Sequence, residues 1–266
     1  MRKANILTAA FLLIGLLIGS TVSAQRIDLG RASSAQQCVN VTSDGFTANF
    51  SFSSITATDV NTEKGVFSNI TMDGTFPSGE YGTPELPAAN QLIAIPYGAK
   101  NVTVEVKNYS TTTYRLADYG IKTLSPRQPS VSKSAKPEDI KFVYNESAYA
   151  AKSYSHHPIA NIEVRGTMRG IQVGALTISP VDYNPAENTI VVYNNIEVEV
   201  RYNDYDRAAA DSEFVRTFSP YFASIYSQMF NWRDDVYTQH PDLCATSRSR
   251  CRTPAPSRTA RRSPSA

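Results

Sequence analysis

The sequence is poor in the side chains that most enzymes use for catalysis, with three histidines and three cysteines in 266 residues. His156 and His157 are adjacent, and adjacent strand residues point to opposite faces, so they cannot readily share a metal ion or serve one nucleophile. We expect both in a loop. Cys38 has no nearby histidine, and Cys244 and Cys251 lack zinc-type spacing. Since no G-x-S-x-G, H-E-x-x-H or phosphate-binding glycine motif is present either, the residues predict no catalytic, cofactor or metal site.

Two further kinds of site are disfavoured. Asp204 and Asp206 could touch calcium, but the other carboxylates of such a site are missing, so we expect a solvated turn there. Two of the three cysteines lie in the last 24 residues, which argues against a disulfide framework spread through the fold. Hydrophobic packing must therefore hold the domain together.

Long apolar runs are also scarce, and the one that stands out, residues 6–18, lies near the N-terminus. Arg2 and Lys3 precede it and Val22-Ser23-Ala24 follows it, which is the order of a secretory signal peptide. A membrane anchor is the alternative, but the run is shorter than the roughly 20 residues that span a bilayer. We predict cleavage between Ala24 and Gln25, export to the periplasm or the exterior, and no transmembrane segment in the mature chain.

Acidic and aromatic residues are absent from residues 243–266, which carry six arginines. Removing these six, Arg2 and Lys3 from the 26 basic residues leaves 18 against 24 acidic residues, a net charge of −6 for residues 25–242. A mildly acidic body does not suit binding to nucleic acid.

Most of the body shows the period-two alternation of half-buried β-strands. Such segments, or short apolar runs typical of strands, occur at residues 46–53, 92–95, 102–107, 171–178, 190–193 and 196–202. Gly174 suggests a bulge, and turns are predicted at Pro77-Ser78-Gly79, Tyr97-Gly98, Asn184-Pro185 and Asn194-Asn195. The pattern predicts an all-β protein built as an antiparallel β-sandwich.

Two segments depart from this pattern. Residues 125–138 contain three prolines and no hydrophobic period, which predicts an exposed extended loop. From Phe214 to Phe230 aromatic residues recur at helical spacing, and Ser219-Pro220 resembles a helix start, so we predict an amphipathic C-terminal α-helix. Its aromatic face either closes one end of the sandwich or meets a partner domain downstream.

Three stretches together resemble the N-terminal propeptide of gingipain-type cysteine peptidases, which are secreted bacterial enzymes. They are "YGTPELPAANQLIAIPYGA" (81–99), "SPRQPSVSKSAKPEDIKFVYNESAY" (125–149) and "RGTMRGIQVGALTISPVDYNPAENTIVVYNNIEVEVRY" (165–202). The resemblance implies a signal peptide (1–24), a propeptide β-sandwich (25–205), and a helix and linker (206–242) toward a caspase-like catalytic domain. It also implies that the propeptide is not catalytic, that it keeps its peptidase latent and assists its folding, and that it is later removed.

Where the catalytic domain should begin, the chain departs from the family pattern. After residue 242 the Arg-, Ser- and Pro-rich tail replaces the apolar strands expected of an α/β domain. This composition is typical of translation in a shifted reading frame through GC-rich DNA, and a genuine disordered basic tail is the alternative.

The resemblance also suggests which residues act on the peptidase. Gingipain-type enzymes prefer Arg or Lys in their first substrate pocket, so a basic side chain on an exposed loop is a natural plug. The candidates on the proline-rich loop are Arg127, Lys133 and Lys136. Arg165 and Arg169, beside the glycines at 166 and 170, are the rival candidates.

The alternative interpretation is a stand-alone secreted β-sandwich for carbohydrate or surface adhesion. It would need a row of exposed aromatic residues on one face. Tyr109, Tyr114 and Tyr119 are the candidates, but their five-residue spacing does not place them on one strand face. An active enzyme is a third interpretation, and it lacks a catalytic pair.

Overall fold

The computed structural model describes residues 25–136 and 140–233. The predicted signal peptide, Ala24 and the basic tail lie outside the described residues. The strands are β1 (Gln25–Asp28), β2 (Ala35–Thr42), β3 (Gly45–Ser51), β4 (Ser54–Thr62), β5 (Gly65–Met72), β6 (Phe76–Ser78), β7 (Leu86–Pro96), β8 (Asn101–Arg115), β9 (Ala160–Met168), β10 (Ile171–Ile178), β11 (Val181–Asn184) and β12 (Thr189–Asn203). The α-helices are α1 (Glu146–Tyr149), α2 (Arg207–Thr217) and α3 (Ala223–Tyr226), and short 3-10 helices cover Leu116–Tyr119 and Pro220–Phe222.

The strands form three antiparallel sheets, which confirms the predicted fold class. Their orders are β1-β4-β5, β6-β7-β10-β9 and β11-β12-β3-β2, and β8 pairs along β12 on its other side. Alternation decides which side chains face inward, because successive residues of a strand point to opposite faces. Phe46, Ala48 and Phe50 of β3 are buried while Thr47 and Asn49 are not. One hydrophobic core joins residues from all three sheets.

The predicted turn at Asn194-Asn195 is wrong, because β12 runs without interruption through both residues. The chain forms a bulge there instead, with Asn195 at a φ of 52° and a register shift against β8. Asn194 Oδ1 accepts a hydrogen bond from Phe52 N, and Asn194 Nδ2 donates to Phe52 O, both at 2.9 Å. These bonds explain why the Asn pair stays inside the strand.

The irregularity predicted at Gly174 is present, but the bulge itself lies on the neighbouring strand. Val173 pairs with Gly166 and Gly174 pairs with Val164, so the extra residue is Arg165 of β9. A Cβ atom at Gly174 would lie 2.6 Å from Ile95 Cδ1, so the neighbouring strand side chains leave no room for a larger residue.

The C-terminal helical segment differs in detail from the prediction. The first helix, α2, begins at Arg207, where Asp206 Oδ1 accepts a hydrogen bond from Ala209 N (3.1 Å), so the expected solvated turn is a helix N-cap. Phe218 has an extended ψ of 137°, and Pro220 opens a separate helical turn that continues into α3. The predicted single helix is thus divided in two.

The aromatic face of this segment nevertheless forms one cluster. Phe214, Tyr226 and Met229 pack with Ala94 of β7 and Ile171 of β10 in a second core, so the face covers the β-sheet as one of the two alternatives anticipated. Among the described residues, no helix has the length and apolar character that crossing a bilayer requires.

Candidate functional site

The proline-rich loop is buried at its start and exposed further along. Ser125 and Pro126 are buried, whereas residues 130–134 and 136 are exposed, so the expectation of a fully exposed loop is wrong for its base. Main-chain hydrogen bonds fix the base: Arg127 N donates to Thr83 O and Gly82 N to Arg127 O, both at 2.8 Å. Backbone groups satisfied in this way can be buried without loss of hydrogen bonding.

The return arm of the loop, from residue 140, packs on the other side of the same segment. Asn145 N donates to Gly82 O (3.0 Å), and Asn145 Oδ1 accepts from Ala148 N to cap α1. Gly82 has a φ of 84°, and a Cβ there would lie 3.1 Å from both Asn145 N and Val143 Cγ1. The close approach of the return arm therefore requires glycine at this position.

An aromatic stack fastens the return arm to β5. The Tyr144 and Tyr149 rings are stacked with centroids 4.5 Å apart, and both contact Phe67. Lys64 lies 4.5 Å above the Tyr144 ring and pairs with Glu146 at 2.9 Å. Tyr149 donates its hydroxyl hydrogen to Leu124 O (2.7 Å), and burial raises the pKa of that hydroxyl. The arm is thus held by apolar, polar and cation–π contacts.

The side chain of Gln128, on the arm of the loop that begins at Ser125, bonds directly to Val143 on the return arm. Gln128 Oε1 accepts a hydrogen bond from Val143 N (2.9 Å). Gln128 Nε2 donates to Val143 O (2.8 Å) and Pro126 O (3.0 Å).

The three basic candidates of this loop differ in their surroundings. Arg127 donates from Nη1 to Pro77 O, and its guanidinium group lies 6.0 Å from the Tyr81 ring centroid. Burial raises the pKa of the nearby Glu85 carboxyl, and the charge of Arg127 opposes that shift. Lys133 and Lys136 lie on the exposed segment. Arg127 is therefore engaged within the fold, whereas the two lysines extend from its surface.

The rival candidates lie on a separate hairpin, formed by β9 and β10. Arg165 pairs with Glu163 at 3.0 Å on the exposed strand β9. Arg169 occupies the two-residue turn at a φ of 42°, and its guanidinium carbon lies 4.3 Å from the Phe222 ring centroid. The structure thus does not bring these arginines into the proline-rich loop.

A groove of about 570 Å³ runs beside the loop. Its walls are the β4–β5 hairpin at residues 60–63 and the loop arms at 125–131 and 140–142. Val131 and Ile140 are roughly half exposed here. The groove also has acidic side chains, Glu63 and Glu85, so its lining is mixed in charge and polarity.

The cysteine and histidine side chains do not assemble a catalytic pair in the part of the chain that the structure describes. Cys38 lies on β2, and burial raises the pKa of its thiol to about 11, so it is protonated at neutral pH. His156 and His157 lie in irregular structure before β9, as predicted. Residues 25–136 and 140–233 contain no group of three or more His, Cys, Asp or Glu side chains that could hold a metal ion.

The tyrosines considered for carbohydrate binding form two separate pairs. Tyr109 contacts Tyr193 edge-to-face at 5.6 Å, and Tyr114 contacts Tyr119 at 6.0 Å. They make no continuous aromatic row.

Sequence reasoning missed the residues that anchor the loop, chiefly Gln128, Tyr144 and Tyr149. The alternation of Phe142 with Tyr144, beside the helix-capping residue Asn145, was the available signal for a packed return arm. No sequence pattern points to the partner of Gln128, which lies 15 residues away.

Comparison with known sequences gives consistent matches. The family profile described as Propeptide_C25 matches residues 31–218. Lys-gingipain of Porphyromonas gingivalis is 43% identical over 246 residues, which are 92% of this chain and 14% of that protein. Gingipain R1 of Porphyromonas gingivalis is 23% identical over 184 residues, 69% of this chain and 18% of that protein. The chain therefore spans about one seventh of the length of Lys-gingipain.

Two solved structures share the fold. The structure that describes zymogenic latency of gingipain K from Porphyromonas gingivalis matches with a TM-score of 0.65 and 42% identity, covering 69% of this chain and 100% of that chain. The complex of Porphyromonas gingivalis RgpB pro- and mature domains matches with a TM-score of 0.59 and 22% identity, covering 73% and 96%. At that lower identity the likeness concerns the fold alone.

Proposed function

The chain belongs to the Propeptide_C25 family, the propeptides of gingipain-type cysteine peptidases, and on that premise we propose that it holds such a peptidase latent by occupying its substrate cleft. The observation that carries this proposal is the exposed basic segment at 130–136, presented between two anchored arms. The segment is not extended as the prolines predict, because Ala135 N donates a hydrogen bond to Ser132 O (3.0 Å) and closes a turn around Lys133. A segment that is already ordered loses less conformational entropy on binding.

A basic side chain of the loop would fill the first pocket of the cleft. The pocket of a peptidase that prefers Arg or Lys offers an acidic or polar partner to such a side chain. The exposure of Lys133 and Lys136 supports either lysine in this role. Arg127 is the third candidate, and its entry into a pocket would exchange its bond to Pro77 O for bonds to the peptidase.

The proposal also assigns a role to each segment of the sequence. We take residues 1–24 as a signal peptide that is cut before Gln25 and directs secretion, residues 25–205 as the propeptide β-sandwich, and residues 206–242 as a helix and linker. In an intact precursor the catalytic domain would follow, with the propeptide assisting its folding.

The test adds the purified full chain to a mature gingipain-type peptidase and measures hydrolysis of Arg and Lys peptide substrates. We expect inhibition by the parent chain and a loss of about tenfold or more when the plugging residue, Arg127, Lys133 or Lys136, is replaced by alanine. Arg165→Ala and Arg169→Ala test the rival candidates in the same way. Lys100→Ala, at an exposed site between β7 and β8, is the matched control, and we expect it to inhibit like the parent. A parent chain that leaves hydrolysis unchanged at high molar excess contradicts the proposal.

A further inference from the structure

We propose that Gln128 is a positioning residue whose side-chain carboxamide ties the two arms of the basic loop together and so sets where residues 130–136 meet the peptidase. The inference rests on the function proposed above, because it concerns how the same loop is presented. Gln128 itself need not touch the peptidase.

The side chain of Gln128 makes the same pair of hydrogen bonds to Val143 that the backbone of a paired strand would make. Its Oε1 accepts from Val143 N at 2.9 Å and its Nε2 donates to Val143 O at 2.8 Å, so one side chain satisfies both backbone groups of one residue. The second N–H of the amide is used by Pro126 O at 3.0 Å. Both donor hydrogens of the amide thus have partners within the loop base.

Few backbone groups beside Gln128 are available for this connection. Both backbone groups of Arg127 already bond to the segment at Gly82 and Thr83. Pro126 and Pro129 have no N–H to donate, so a ladder toward Val143 cannot continue through them. The side-chain amide of Gln128 supplies both a donor and an acceptor to Val143.

The bonds between Gln128 and Val143 affect binding because they restrict the conformations of the loop in the free chain. Gln128 and Val143 are 15 residues apart, and the separate arms are each held by Gly82. Without the amide both arms would keep those contacts, but the exposed segment would sample more positions. Binding would then have to order the loop, which lowers affinity.

The experiment compares three variants of the full chain with the parent at pH 8. Gln128→Ala removes the amide, while Gln128→Glu keeps its size and one acceptor but cannot donate to Val143 O or Pro126 O when ionised. Asn194→Ala is the matched control, because Asn194 pairs in the same way with Phe52 within the sheet rather than in the loop. Circular dichroism establishes a temperature at which all four proteins are folded.

Two quantities are measured: the inhibition constant against a mature gingipain-type peptidase, and the rate at which a lysine-specific endoproteinase cuts the free chain after Lys133. We expect both Gln128 variants to inhibit about tenfold more weakly and to be cut about tenfold faster, since hydrogen bonds that join the arms are lost. Asn194→Ala should change neither quantity.

Equal inhibition or equal cutting for Gln128→Ala and the parent overturns the inference. Parent-like behaviour of Gln128→Glu alone overturns it as well, because a carboxylate keeps only the bond from Val143 N, and that result means the bonds donated to Val143 O and Pro126 O do not hold the arms together. If the parent chain does not inhibit at all, the proposed function fails, and the cutting rates of the free chain still decide whether Gln128 ties the arms.

Discussion

Individual side-chain amides complete the hydrogen bonding of this fold at places where strands end or bulge. In the described ranges, three of them pair with both backbone groups of a distant residue: Gln128 with Val143, Asn194 with Phe52, and Asn231 with Ala94. Each takes the place of a second backbone segment in pairing that residue. Leaving such buried backbone groups unpaired costs more than the bonds themselves contribute.

Asn231 offers a test of this role. It is fully buried, its Nδ2 donates to Ala94 O and to the Tyr202 hydroxyl at 2.7 Å each, and its Oδ1 accepts from Ala94 N at 2.7 Å. We expect Asn231→Ala to lower the free energy of unfolding by about 3 kcal/mol, because the variant loses three buried hydrogen bonds and Ala94 O keeps only the bond from the Tyr202 hydroxyl.

Urea denaturation of the parent and the variant measures this difference. Gln228→Ala, three positions earlier on an exposed site, should change the free energy of unfolding by less than about 0.5 kcal/mol. A loss for Asn231→Ala as small as that of the control would show that the amide contributes little to stability.

At the scale of elements, the β9–β10 hairpin and helix α2 depend on a glycine at their contact. Gly170 has a φ of 79°, and a Cβ there would lie 2.6 Å from Phe214 Cα and 2.4 Å from Thr217 Oγ1. Gly166, on β9 of the same hairpin, has no atom within 4 Å of such a Cβ. Comparing alanine substitutions at Gly170 and Gly166 therefore separates the effect of close packing from the effect of replacing a glycine.

We predict that Gly170→Ala destabilises the protein by about 2 kcal/mol or more, through backbone strain and displacement of α2. Gly166→Ala should be close to neutral or slightly stabilising, since its backbone does not require glycine. Thermal unfolding followed by circular dichroism measures both. Equal midpoints for the two variants would contradict the close contact between the hairpin and the helix.

The paired strands β8 and β12 carry a group of charges whose effect depends on pH. Hydrogen bonds from Arg201, then from Lys107, lower the pKa of Glu199 from 4.5 to about 2. A carboxyl group with a lowered folded-state pKa contributes stability that is present above its unfolded value and lost as pH falls toward the folded value. The contribution of Glu199 is thus present above about pH 4.5 and lost toward pH 2.

We therefore expect Glu199→Gln to lower the urea midpoint at pH 7 by a small amount, as for other exposed ion pairs. The gap between variant and parent should narrow as pH falls below 4.5 and close near pH 2. Glu197→Gln, on the same strand, is the control. A gap that is constant from pH 7 to pH 2 would mean that the carboxylate charge is not responsible.

Across the whole molecule, two hydrophobic cores are joined by the residues just before position 233. Phe230 stacks on Phe50 of the main core with ring centroids 5.6 Å apart. Trp232 stacks on Tyr226 of the second core at 5.0 Å. Because the two contacts are only two residues apart, the second core should unfold together with the sandwich.

The single tryptophan of the sequence makes this testable. We expect urea transitions followed by tryptophan fluorescence and by far-ultraviolet circular dichroism to coincide in the parent, as for one cooperative unit. In Asn231→Ala the fluorescence transition should move to lower urea than the circular dichroism transition, because the link between the cores is weakened. Separate transitions in the parent would contradict a single cooperative unit.

The sequence predicted the sheet architecture because strand alternation is a local pattern. The segment at 171–178 coincides with β10, and Gly174 lies opposite the bulge of β9. The prediction failed at Asn194-Asn195 and at the C-terminal helix. In both places the outcome depends on distant partners, Phe52 in one and the surface of β7 and β10 in the other.

The proline-rich loop was predicted in part, because its composition is also a local property of the sequence. Proline content and the lack of hydrophobic period identified the loop, and Lys133 and Lys136 are exposed as a basic loop requires. The engagement of Arg127 by Pro77 and Tyr81 could not be read from spacing, since those residues lie about 50 positions away. Whether any of these cations enters a peptidase pocket stays a prediction.

The sequence alone determined the fold class, the acidic charge of the body and the family resemblance, since each depends on residue types and their local order. Tertiary structure decided which part of the loop is buried, which cation is engaged and which amide joins the arms. Those features arise from contacts between segments far apart in the chain, and hydrogen-bond partners of that kind leave no periodic pattern in a single sequence.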